Sequence, residues 1–457
     1  MARIRPFRGI RYNPLRIKDL NRVVTQPYDK ITPEMQEAYY SKDPHNVVRI
    51  TLGKVEPGDD EKNNRYTRAR ESLEKWLREG VLLREKDPSL YAYYQTFTPP
   101  VGASPLSQGS KPAPTITRKG IIAQLLLEPL GRGVRPHEET LSKPKQDRLN
   151  LLRTARVNTG QIFMLYSDPR GELNKILDEE TKREPDMDLV AEYGVKERVW
   201  VLDNAKCKMQ NEKLMEFFSK KELLIADGHH RYETALAFQK ECKDDRPVAL
   251  TGEEDWNFRM VTLISMEDPG LVILPTHRLI CGLDRFDLQV FLKKTEKFFK
   301  IKPQRSHEEL FRLMKGGSGS NDGTTERGDS FRFGIYGNRR FYLLELKDHS
   351  IIDQWIKGSA VRRCLDVVVL QDLLIESVEG GLGISEEEVK GGGKIRYIRD
   401  AMEGVQAVEQ GIAGVCLFLN PTRVEQVREM AERGEKMPQK STDFYPKLLS
   451  GLVMAEA

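Results

Sequence analysis

Leu223-Leu224-Ile225-Ala226-Asp227-Gly228-His229-His230-Arg231 is the stretch on which the reading of this chain turns. Leu223–Ala226 is a short apolar run of the kind that forms a buried strand, and it leads straight into polar residues. After Asp227 the apolar spacing Ala235, Leu236, Phe238 suits a helix. A strand-to-helix turn points backbone N–H groups and the positive end of a helix dipole at one place, which suits a phosphate. Gly228 allows a positive φ or a close approach of the backbone. Arg231 can fork two hydrogen bonds onto a phosphate, and His229 and His230 add donors that are neutral or charged near pH 7. Asp227 cannot bind phosphate itself, so a divalent metal or a hydroxyl is its natural partner. The plain structural alternative is a capped helix with a satisfied histidine pair. The chemical rival is a His/His/Asp zinc site, disfavoured because adjacent histidines seldom point at one metal and no His or Cys cluster lies near in sequence.

Outward from this turn the chain reads as α+β. Strand patterns occur at Leu90–Phe97, Gly120–Leu127, Gln161–Tyr166, Arg198–Leu202 and Met260–Met266, and later at Phe331–Tyr336, Phe341–Leu346 and Gly414–Leu419. Helix patterns occur at Ser72–Glu79, around Lys145–Arg156, at Asn211–Lys220, Val367–Glu376 and Val424–Arg433. Pro99–Pro114 is rich in Pro, Gly and Ser and reads as a surface loop, and Gly316–Gly323 reads as a flexible connector. No fixed-period repeat stands out. At 457 residues two or three domains are expected. The division is an N-terminal α+β region over 1–115, a nucleotide-binding core over 116–290, and a C-terminal α/β region over 291–457 that contributes to the substrate pocket.

Two further polar clusters accompany the turn. Pro136-His137-Glu138-Glu139-Thr140 follows the strand Gly120–Leu127, and a carboxylate near a phosphate site is a general base for a hydroxyl nucleophile. An acidic helix start would look the same. Lys143, Lys145 and Arg148 come next and read as a solvent-facing row rather than a phosphate clamp. Near the end, Gly and Pro punctuate Arg433-Gly434-Glu435-Lys436-Met437-Pro438-Gln439-Lys440-Ser441-Thr442. There Lys440 with the hydroxyls of Ser441 and Thr442 can hold a phosphate or carboxylate, or can simply form a polar loop. Gly391-Gly392-Gly393-Lys394 lacks the spacing and the following Ser or Thr of a P-loop.

Composition narrows the class. Lys and Arg number 73 against 69 Asp and Glu, a net charge of +4, which argues against a polyanion-binding surface and makes nucleic acid an unexpected partner. No run approaches the ~18 apolar residues of a membrane span, and the first residues lack a signal-peptide core. The five cysteines, Cys207, Cys242, Cys281, Cys364 and Cys416, form no Cys-x-x-Cys pair, so neither a zinc knot nor a disulfide framework is expected. A reducing, cytoplasmic setting fits this usage.

Taken in order, the three clusters resemble the free serine kinases of archaea, proteins of the ParB/sulfiredoxin-like fold. Their pattern is a strand, Pro-His-Glu, a strand ending in Asp-Gly-His-His-Arg, then a helix, Arg-Gly-Glu and a Pro-Lys-Thr-Thr-like loop. Asn420-Pro421-Thr422 is similar to that family's Ala-Pro-Thr. The chain also looks like a large prokaryotic family that carries Gln26-Pro27-Tyr28-Asp29 near the start and Tyr445-Pro446-Lys447 near the end. The resemblance implies a ParB/sulfiredoxin-like catalytic core with extra N-terminal and C-terminal α/β regions. It implies Glu138 as catalytic base and Asp227 at the reacting centre through Mg²⁺. It implies Gly228, His229, His230 and Arg231 as the phosphate holders of an ATP or ADP donor, and Lys440, Ser441 and Thr442 as acceptor contacts. The activity implied is phosphorylation of a small hydroxylated metabolite, free L-serine first. The chain departs from the kinases in a long additional N-terminal region, a longer gap between Glu138 and Asp227, and Gln439 between Pro438 and Lys440. A ParB-like nucleotide switch acting with DNA or a protein partner is the alternative. A sulfiredoxin-like reductase would need a cysteine in the 227–231 string. The kinase reading expects Glu138 and the bend at 227–231 to meet across one cleft.

Overall fold

The computed structural model describes residues 2–100, 114–138, 143–245, 250–283, 286–315 and 331–457. The loop expected over Pro99–Pro114 lies outside these apart from its ends, as do the connector Gly316–Gly323 and the pair Glu139-Thr140. The chain divides into two compact units. One comprises Met1–Pro136, Thr140–Val272 and Phe444–Ala457, and the other His137–Glu139 and Ile273–Asp443. The architecture is mixed α+β.

The first unit is built on a nine-stranded mixed sheet. Its order runs Val134–Arg135, Leu223–Asp227, Ile162–Tyr166, Phe258–Ser265, Ile116–Leu126, Ser89–Phe97, Lys196–Asp203 and Met187–Val190, with Ile4–Arg5 pairing on Ile116–Leu126. Ile162–Tyr166 and Phe258–Ser265 run parallel; most other pairs are antiparallel. The inner strands read as near-continuous apolar runs because both faces are covered, as in sheets flanked by helices. Alternate residues of one face, including Ile121, Ala123, Met164, Ile225, Val261 and Leu263, close over Leu214 and Phe218 of the helix Asn204–Ser219. Side chains buried to this degree each stabilise by about 1.5–3 kcal/mol. The sheet also joins Ser89–Phe97 to Ile116–Leu126, so the division expected near 115 falls between two paired strands.

Helices flank the edge of the sheet that carries the turn. Lys143–Ala155 packs on Arg65–Arg78 and on His229–Asp244. Leu149 and Leu152 meet Phe238 and Cys242, while Leu151 and Ala155 join Leu73 and Trp76. Lys143–Ala155 is thus apolar on two sides, a pattern that a single amphipathic stripe does not capture.

The second unit is a six-stranded antiparallel sheet in the order Phe299–Gln304, Arg340–Leu346, Arg332–Gly337, Val415–Phe418, His277–Ile280, Ile395–Ile398. Leu310 and Met314 of the helix His307–Lys315 and Val405 and Ala407 of Ala401–Glu409 bury against Leu279, Leu343, Cys416 and Phe418. Among the described residues no helix is long and apolar enough to cross a membrane.

Candidate functional site

The turn at 227–231 belongs to the first unit and is shaped by three local features. Leu223–Asp227 pairs with Ile162–Tyr166 so that Ile225 faces Met164 and Asp227 faces Phe163, which leaves Ala226 as an extra residue. Such a bulge bends the strand and re-aims the side chain that follows it. Gly228 then adopts φ 99°, ψ 27°, left-handed geometry that glycine takes without a Cβ penalty. A Cβ there would lie 2.9 Å from Nε of Arg231. The helix His229–Asp244 begins at once, with Gly228 as its N-cap residue. A helix start of this kind points amide donors and the positive dipole end outward, the usual seat of an anion.

His229 and Arg231 are buried, and His230 and Asp227 are half-buried. Arg231 donates through Nη1 to the carbonyl of Gln161, while its Nη2 lies 3.4 Å from Oδ2 of Asp227. Lys447 Nζ stands 3.5 Å from the same carboxylate oxygen and is itself buried. Asp227 therefore sits between two cations, and the turn as a whole carries excess positive charge.

Lys447 reaches this position from a C-terminal strap held by a buried polar network. Arg118 donates to the carbonyls of Tyr445 at 3.0 Å and Pro446 at 2.5 Å, and Gln95 Nε2 donates to the carbonyl of Lys447 at 3.1 Å. Gln95 Nε2 also donates to Glu197 Oε1 at 3.0 Å, and the Tyr93 hydroxyl donates to Glu197 Oε2 at 2.7 Å. Burial pushes the Glu197 carboxyl up to about 7 against the downward pull of Tyr93, Gln95 and Arg118. Burial likewise lowers Arg118 to about 10.

Glu138 and the 440–442 loop belong to the second unit, where they form one cluster. Met437 N donates to the carbonyl of His137 at 2.8 Å, and Lys440 N donates to Glu138 Oε1. Lys440 has φ 56°, and its side chain is exposed. His137 Nε2 and Thr442 Oγ1 lie 2.9 Å apart in a buried contact. Ser441 Oγ donates to the carbonyl of Pro438 at 2.6 Å, and its own carbonyl accepts from Thr422 Oγ1 at 2.8 Å. The hydroxyls of Ser441 and Thr442 thus already serve internal bonds. Arg278 is fully buried, donates to the carbonyl of Thr276 and lies near the Glu138 charge. Glu138 with 440–442, and Asp227 with 228–231, are two clusters in two different units.

Among the described residues no group of three or more His, Cys, Asp or Glu is placed to hold a metal ion. Asp227 offers one carboxylate, so a divalent cation there would draw its remaining oxygens from a phosphate ligand and water, the usual habit of Mg²⁺.

A family model described as "Protein of unknown function (DUF1015)" matches residues 4–368. The chain belongs to this family. No curated protein matches it. Among solved structures it is similar to a conserved hypothetical protein from Pyrococcus furiosus, with 12% identity and a TM-score of 0.33 over 69% of this chain and 90% of that one. It is similar to a free serine kinase in complex with AMP, at 12% identity and a TM-score of 0.32, covering 68% and 83%. It is also similar to SbnI with C-terminal truncation from Staphylococcus aureus, at 10% identity and a TM-score of 0.31, covering 70% and 82%. All three are distant relationships.

Several residues around the turn escape sequence reasoning. Within the matched DUF1015 span, Arg148 is a correction: expected on a solvent face, it is buried, with Nε and Nη2 on Asp147 and Nη1 donating to the carbonyl of Thr51 at 2.7 Å. The physical reason is the two-sided packing of its helix, which turns this position inward. Lys145 instead pairs with Glu233 at the helix surface. Arg259 is buried within Phe258–Ser265, where a charged residue reads as the end of a strand. Lys447 lies beyond the matched span. The string Tyr445-Pro446-Lys447 was a signal for it, but the pairing with Asp227 is tertiary.

Proposed function

We propose that this DUF1015 chain is a nucleotide-dependent phosphotransferase whose phosphate cradle is the 227–231 turn. The observation that carries the reading is the bulged strand end and left-handed Gly228 leading straight into a helix start, backed by the buried cations Arg231 and Lys447. Such a turn offers preorganised donors to phosphoryl oxygens, and phosphoryl transfer depends chiefly on positioning and charge stabilisation. The order of Pro136-His137-Glu138, Asp227–Arg231 and Lys440-Ser441-Thr442, similar to that of free serine kinases, supports the same reading and a ParB/sulfiredoxin-like core.

In this reading Gly228, His229, His230 and Arg231 hold the phosphates of ATP or ADP. Asp227 orients the phosphate end, with Mg²⁺ supplying charge neutralisation when bound. Glu138 takes or orients the proton of the acceptor hydroxyl. The backbone N–H of Lys440 donates to Oε1 of Glu138 and helps to fix the carboxylate. Free L-serine is the first acceptor to test, with Lys440, Ser441 and Thr442 as its contacts.

The test is product analysis by mass spectrometry after incubating the full chain with Mg²⁺, ATP or ADP and a panel of small hydroxylated metabolites. A new phosphoester is expected. Glu138→Gln should lower kcat by at least ~10²-fold, the low end for a general base. No phosphoester with any acceptor would overturn the kinase reading; an unchanged rate in folded Glu138→Gln would remove Glu138 from it.

A further inference from the structure

Arg231 also faces a cavity in the first unit that the kinase reading leaves unassigned. It is small, about 30 Å³ in volume and partly open to solvent, and its polar lining includes Tyr28, Thr51, Arg148, Arg231, Arg259 and Ser450. The three arginines come from three elements: the helices Lys143–Ala155 and His229–Asp244 and the strand Phe258–Ser265. They are 8%, 7% and 6% exposed, and among the described residues no carboxylate lines the cavity.

Three guanidinium groups at one cavity repel one another, and only two of them have anionic partners. Arg148 is held by Asp147 and the carbonyl of Thr51, with its guanidinium 4.2 Å from the centre of the Tyr28 ring. Arg231 is held by the carbonyl of Gln161 and by Asp227. Arg259 is different: its Nε and Nη1 are buried and find no hydrogen-bond partner among the described residues. The Thr51 hydroxyl is likewise buried and unpartnered. Burial first, and then the charges of Arg231 and Arg148, lower Arg259 to about 9. An unpaired buried cation is costly, and a native chain normally supplies its counter-charge. Nε and Nη1 lie on different edges of the guanidinium, so each is a separate charge-assisted donor for an anion, and neutral hydroxyls at Tyr28, Thr51 and Ser450 add to a donor-rich wall.

We propose that this cavity is an oxyanion site whose ligand is a tetrahedral phosphoryl group, from free phosphate or from a small phosphate ester, gripped by Arg259 between Arg148 and Arg231. The cavity shares Arg231 with the turn, but Arg259 and Arg148 lie outside it, so a variant at Arg259 tests this site apart from the kinase reading. No nucleotide enters its test.

The full chain is titrated with inorganic phosphate, with O-phosphoserine and, at matched ionic strength, with chloride, following the melting temperature and the heat of binding. A saturable rise with phosphate or with the ester, absent with chloride, is expected; tighter binding of the ester identifies an ester ligand, and equal binding identifies free phosphate. Arg259→Met should bind at least ~10-fold more weakly, the loss of one charge-assisted pair. Its ligand-free melting temperature should hold or rise, since an uncompensated buried charge has gone. Arg259→Lys, which keeps the charge but loses the spread of guanidinium donors, should fall between the two. No phosphate- or ester-specific response in the unaltered chain, or equal affinity in folded Arg259→Met, overturns the proposal.

Discussion

Glu197→Gln isolates the network that carries Lys447 to the turn. Glu197 is fully buried, and its carboxyl titrates at about 7 in the folded chain against about 4.5 when exposed. Between these values the folded chain holds a proton that the unfolded chain has released. Stability from this group is therefore complete below about 4.5 and is lost as pH rises through about 7. The full loss amounts to about 3 kcal/mol, a sizeable share of the ~5–15 kcal/mol that separates folded from unfolded chains. Glutamine keeps an oxygen for Gln95 and presents an amide to the Tyr93 hydroxyl, and it does not titrate. Urea unfolding of both proteins at pH 5 and pH 8 reads the difference directly, because all other titrating groups are common to both. The variant should be more stable at pH 8, and its advantage should shrink by roughly 2–3 kcal/mol at pH 5. Stability differences that stay the same at the two pH values would refute the argument, and so would a variant less stable at pH 8.

The turn makes two further predictions. Gly228→Ala must place a Cβ 2.9 Å from Arg231 Nε at φ 99°. It should cost about 1–2 kcal/mol in thermal unfolding and weaken nucleotide binding as well. Normal affinity in the folded variant would mean that the turn does not seat the phosphates. Lys447→Met removes one of the two cations that flank Asp227 beside the turn. Calorimetric titration with ADP should show affinity reduced about tenfold, and an unchanged value would confine Lys447 to a structural role.

Much of the first unit's sheet was legible because its strands are continuous apolar runs. Leu223–Ala226, Gln161–Tyr166 and Leu90–Phe97 announce themselves by composition, and Gly228 marks the turn. His277–Ile280 was not legible, since two of its four residues are a buried His and a buried Arg that mimic a loop. Pro33–Lys42 was also missed, because it buries only Tyr39 and so shows no apolar stripe. The site divides in the same way. The residues contiguous with the turn could be read from the string itself, whereas Arg148, Arg259 and Lys447 owe their roles to packing between segments far apart in the chain. Arg118, Gln95 and Glu197 lie inside strands and look like solvent-facing alternation. They are a buried polar network, in which each charge is tolerated only because its neighbours supply partners.

The claim that the 227–231 turn binds nucleotide phosphates is tested most directly by titrating ATP and ADP, with Mg²⁺, into the full chain and into Arg231→Met, after checking by thermal unfolding that the variant is folded. The account predicts saturable binding to the unaltered chain and affinity at least ~10-fold weaker in the variant, the loss of one charge-assisted phosphate contact. No binding of either nucleotide, or equal binding to both proteins, would contradict it.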